Sequence, residues 1–80
     1  MTLDDAIKQM ESIILNVSGG VHIKTVKMSA EEARLTVLAP AGDIAAIKDA
    51  TFKPAIDLLN SEGFDIQVQV YDKDAPPLTG

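Results

Sequence analysis

The chain has 80 residues, 46% hydrophobic and 24% charged, with seven basic against twelve acidic side chains and a net charge of −5. That length makes one domain with a small core, burying about 60–65% of the surface its unfolded form exposes, and the acidic balance argues against binding nucleic acid by neutralising phosphates. Cysteine is absent, which excludes disulfides, thiolate metal sites and thiol catalysis.

The aromatic residues are Phe52, Phe64 and Tyr71, so the core is expected from Ile, Leu, Val, Ala and Met. Asp4 and Asp5 stand where a signal peptide carries basic residues, and no apolar run approaches the length of a membrane span. A cytoplasmic protein without membrane association is the expectation.

Thr2 followed three residues later by Asp5 reads as a short-armed capping box opening a helix. Leu3, Ile7, Met10, Ile14 and Val17 recur at helical spacing, with Ala6 and Ile13 widening the stripe. Ser18-Gly19-Gly20 stops this helix, glycine supplying a left-handed cap. Residues 21–28 form a first strand in which Val21 and Ile23 alternate with His22 and Lys24. Val26 and Met28 fall on the opposite parity, so a bulge is expected near Thr25. After the polar turn Ser29-Ala30-Glu31-Glu32, Ala33, Leu35, Val37 and Ala39 line one face of a second strand, with Arg34, Thr36 and Leu38 on the other. The two strands read as an antiparallel hairpin.

Pro40-Ala41-Gly42-Asp43 ends the second strand, and Asp43 is placed to cap a helical turn through Ile44 and Ile47. A proline inside a helix costs about 3 kcal/mol, whereas in the first turn that cost largely vanishes. Pro54 therefore favours a short turn over residues 43–48 and a main helix starting between Asp49 and Thr51, against a single helix kinked at Pro54. Phe52, Ala55, Ile56 and Leu59 supply its buried face, and Gly63 ends it. Phe64, Ile66, Val68 and Val70 then alternate with Asp65, Gln67, Gln69 and Tyr71 in the cleanest strand of the chain. Residues 1–72 make a single domain, and 73–80, with Pro76-Pro77, a flexible C-terminal tail.

The order α-β-β-α-β gives an α+β fold: a two-layer sandwich with a three-stranded mixed sheet and two helices on one face. The other face is left polar, with His22, Lys24, Arg34, Thr36, Gln67, Gln69 and Tyr71.

The Gly19-Gly20 turn, the strand pair after it, and Thr51-Phe52-Lys53-Pro54-Ala55-Ile56-Asp57 resemble the NifU C-terminal domain family over most of the chain. That family is an iron–sulfur scaffold in which a Cys-x-x-Cys pair binds a bridging cluster. Anchored on Thr51, the family's cysteines fall on Gly42 and Ala45 and its proline on Ala46, so the resemblance carries the fold without the cluster ligands. It implies partners in iron–sulfur assembly, or an enzyme that carries such clusters. A second likeness is topological only: the order matches the ferredoxin-like ACT regulatory module without its first strand.

His22 is the single histidine and cannot by itself build a metal site. The carboxylates are scattered, and no nucleophile–base pattern accompanies them. The expectation is therefore no catalytic residue, no metal and no cofactor. Gly42 and Asp43 enter a helical turn with free backbone amides, which makes that loop a second contact site. The polar sheet face is the surface expected to meet a protein partner or a second copy of the chain. The leading expectation is a small non-enzymatic interaction or adaptor module, and the alternative is an ACT-like ligand-sensing domain acting as a dimer.

Overall fold

The computed structural model describes residues 1–74. The elements run α1 (Leu3–Val17), β1 (His22–Lys27), β2 (Glu32–Ala39), a 3-10 turn (Ala41–Asp43), α2 (Ile44–Glu62) and β3 (Asp65–Asp72). β2 is the central strand of a three-stranded mixed sheet, antiparallel to β1 and parallel to β3. The expected α+β architecture is thus present.

α1 begins with the expected capping box. The Asp5 amide donates to Thr2 Oγ1 at 3.2 Å, and the Thr2 amide donates to Asp5 Oδ2 at 3.1 Å. The helix buries Leu3, Ala6, Ile7, Met10 and Ile14, one stripe at helical spacing. Val17, at its end, is exposed. The termination differs from the glycine cap expected from sequence. Ser18 ends α1 in an extended conformation, its amide bonded to the Ile14 carbonyl. Neither Gly19 nor Gly20 has positive φ, and among the described residues only Gly63 does.

The hairpin is continuous from His22 opposite Leu38 to Lys27 opposite Ala33, so the bulge expected near Thr25 is absent. The physical reason is that Val26 and Met28 need no core position: both lie exposed on the uncovered side of the sheet. Thr25 faces the helices, where its hydroxyl donates to Glu11 Oε2 of α1 at 2.8 Å. Lys27 pairs with Asp4 at the start of α1, so β1 is held to α1 at two points.

α2 departs most from expectation. Residues 44–62 form one helix, with Pro54 inside it rather than in its first turn. The missing N–H of Pro54 deprives the Ala50 carbonyl of its helical partner. Buried contacts on both sides of the proline, Ile47 and Thr51 before it and Leu58 after it, hold the helix together across the break. Thr51 is 3% exposed, and its hydroxyl donates to the Ile47 carbonyl at 2.9 Å. The buried face is therefore Ile47, Thr51 and Leu58. Phe52, Ile56 and Leu59, expected inside, are exposed, and Ala55 is half-buried.

Gly63 closes α2 as expected, in the left-handed region at φ 73°. Its amide bonds to the Leu59 carbonyl and that of Phe64 to the Leu58 carbonyl, which satisfies these two groups in the last turn. The core between helices and sheet centres on Met10, Ile14, Leu35, Val37 and Ile47. Of the tail expected over 73–80, Lys73 still donates its amide to the Ala39 carbonyl, and residues 75–80 lie outside the described residues.

Candidate functional site

Strand alternation divides the sheet into two faces. Ala33, Leu35, Val37 and Ala39 of β2, with Ile66 and Val70 of β3, point into the core, so their neighbours point away from the helices. The pairing register arranges the outward residues in rows across β1, β2 and β3: His22–Leu38–Tyr71, then Lys24–Thr36–Gln69, then Val26–Arg34–Gln67. Beyond them Glu32 lies opposite Asp65. All seven residues expected on this face from sequence therefore share it.

The face differs from expectation in one respect: it is not purely polar. Val26, Met28 and Leu38 are exposed there, and Tyr71 joins them. Leu38 is expected on this side with Arg34 and Thr36, whereas Val26 falls here because the expected bulge is absent, and among the described residues nothing covers either. The result is a central band carrying His22, Lys24 and Arg34 among apolar side chains, with Glu32 and Asp65 at one end. The Tyr71 hydroxyl lies 3.2 Å from Gln69 Oε1, which ties these two side chains together on the strand. Among the described residues the ion pair present is Lys27–Asp4, on the other side of the sheet, so Lys24 and Arg34 present their charges unpaired to solvent.

The loop expected as a second contact site is built differently. Asp43 holds the N-cap position of α2 but makes no side-chain cap bond. Its carboxylate instead accepts the Ser18 hydroxyl at 2.7 Å, joining the end of α1 to the start of α2. Asp43 is thus an internal tether, and its negative charge opposes any anion at the neighbouring amides. Gly42 is exposed in the 3-10 turn.

Gly42, Ala45 and Ala46, on which the resemblance places the cluster-binding turn, lie in the 3-10 turn and the first turn of α2. The Thr51–Asp57 segment that anchors it sits in the interior of α2 instead of opening a helix. Among the described residues no group of three or more His, Asp or Glu side chains comes together as a metal site. No helix of the described residues is long and apolar enough to cross a membrane. In comparisons with known proteins, no family model, no curated protein and no solved structure matches this chain.

Proposed function

We propose that this chain is a small, non-enzymatic, cytoplasmic interaction module that binds a protein partner through the uncovered face of its sheet. The observation that carries the reading is the mixture on that face. Three basic-type side chains, His22, Lys24 and Arg34, are interleaved with exposed Val26, Leu38 and Tyr71 on a protein whose net charge is −5. Exposed apolar side chains gathered on one face and rimmed by polar ones are the surface pattern of an interaction site, and aromatic residues and arginine are the side chains that most often dominate interface energetics. The partner that fits is a protein surface with acidic groups set around an apolar patch. Complementary charge then steers encounter, and desolvation of the apolar groups supplies affinity. The resemblance to the iron–sulfur scaffold family supports trying proteins that assemble or carry such clusters first.

The test is to use the chain as bait in its native host, beside a variant with Arg34→Ala and Tyr71→Ala. Both residues are exposed, and surface substitutions of this kind typically change stability by no more than about 0.5 kcal/mol. One stoichiometric partner retained by the natural bait and lost from the variant is the expected result. Equal retention by both baits, or recovery of the bait alone, would contradict the reading.

A further inference from the structure

A second surface, away from the open face, carries a separate inference. β3 is an edge strand. Its N–H groups at Asp65 and Lys73 bond to the β2 side, to the Glu31 and Ala39 carbonyls. By the two-residue alternation of a strand, Ile66, Val68 and Val70 therefore turn their N–H and C=O to the free edge. The run Ile66-Gln67-Val68-Gln69-Val70-Tyr71 contains no charge, proline or bulge. The β1 edge, by contrast, carries Lys24 and Lys27. Uncharged strands with alternating β-branched residues, left open, aggregate, and folded proteins blunt or cover them.

Alongside this edge lies a groove of about 320 Å³ between α2 and β3, lined by Lys48, Thr51, Phe52, Ala55, Ile56 and Val68. Phe52 is 69% exposed, and Ile56 and Leu59 continue the same apolar strip along α2.

We infer that the occupant is a second copy of this chain, related by a two-fold axis that passes between the Val68 positions of the two β3 strands and close to Ala55 of each α2. Three features converge on that geometry. Antiparallel pairing of β3 with itself about Val68 sets Ile66 against Val70 and Gln67 against Gln69. It also sets Asp65 against Tyr71, so no like charges meet. The same axis runs α2 antiparallel to its copy. Lys48 and Glu62 lie fourteen positions apart, just under four helical turns, and so fall within about 40° of each other around the helix. Antiparallel packing brings Lys48 of each chain opposite Glu62 of the other, with Phe52, Ile56 and Leu59 between them. Finally, Ala55, midway between Lys48 and Glu62, and Val68, midway along β3, line the same groove, so one axis serves the strand pair and the helix pair together. The two sheets join into a continuous six-stranded sheet with both open faces left free.

Sedimentation velocity across a concentration series tests this, with Phe52→Glu, Lys48→Glu and the double reversal Lys48→Glu with Glu62→Lys. All the substituted side chains are exposed, so the variants are expected to keep the natural circular dichroism spectrum and cooperative melt. The natural chain is expected to sediment with the mass of two chains. Phe52→Glu should raise the dimer dissociation constant at least about a hundredfold, equivalent to roughly 2.7 kcal/mol. Lys48→Glu should raise it about tenfold, and the double reversal should restore it. A natural chain that stays at one chain's mass at high concentration overturns the inference. So does a dimer that Phe52→Glu leaves intact, because its contact would then lie elsewhere.

Discussion

The two helices lie on the same face of the same sheet and commit their apolar residues to it to different extents. α1 turns one stripe, Leu3, Ala6, Ile7, Met10 and Ile14, into the core and leaves Leu15 and Val17 exposed. α2 is four residues longer, at 19 against 15, yet buries only Ile47, Thr51 and Leu58 and leaves Phe52, Ile56 and Leu59 outside. α1 is anchored at its start by a capping box, at Glu11 by a hydrogen bond from Thr25 of β1, and at its end by the Ser18 hydroxyl on Asp43. α2 tolerates an interior proline and sits beside an unguarded strand edge. The difference teaches that most of the hydrophobicity in α1 serves the fold, whereas much of that in α2 is surplus to the fold and available to another molecule.

The contrast can be broken most forcefully in α1. Met10 is fully buried, and Met10→Ala is expected to cost about 2–5 kcal/mol in urea unfolding, as for other core truncations. Pro54→Ala in α2 is expected to stabilise by about 1–3 kcal/mol, since it restores the hydrogen bond to the Ala50 carbonyl and removes the ring clash. A destabilised Pro54→Ala variant would show that the proline shapes contacts the helix needs. Gly63→Ala should cost about 1 kcal/mol in the same assay, because residue 63 has φ 73° and the added Cβ meets open space but a strained backbone.

At the start of α1, Thr2→Ala should lose about 1 kcal/mol as the N-cap is removed. Hydrogen bonds from Thr2, the backbone amide foremost, hold the Asp5 carboxyl below its ordinary value of 3.8. Its contribution is therefore fully present above that unfolded-state value and is lost as pH falls through the lowered folded-state value. Thermal melts below about pH 4 should show this loss in the natural chain, and Asp5→Asn should remove that component of the pH dependence. The smallest effect is expected from Phe52→Ala. In dilute protein, where α2 is uncovered, its stability should lie within about 0.5 kcal/mol of the natural chain. A loss as large as that of Met10→Ala would erase the distinction between the two helices.

Much of this arrangement was legible in residues whose signals are local. Thr2 and Asp5 announce their cap, Gly63 its left-handed turn, and the alternation in Ala33–Leu35–Val37–Ala39 the buried face of β2. The uncovered face followed from parity, since His22, Lys24, Arg34, Thr36, Gln67, Gln69 and Tyr71 fall on one side once the strands pair. α2 was illegible for a physical reason. Apolar residues, from Ile44 through Leu59, surround most of its circumference, so spacing alone cannot select Ile47 and Leu58 over Phe52 and Ile56. Packing decides which side turns inward, and the same packing overrides the local penalty of Pro54. Ser18 and Asp43, twenty-five residues apart, form a bond that no local pattern encodes.

The most direct measurement places a photo-crosslinking amino acid at Thr36, the middle of the open sheet face, in the full chain expressed in its native host. The expected result is one dominant adduct with a different protein, which disappears when Arg34→Ala and Tyr71→Ala are introduced together. An adduct only with a second copy of the chain, or none beyond background, would contradict the assignment of that face to a protein partner.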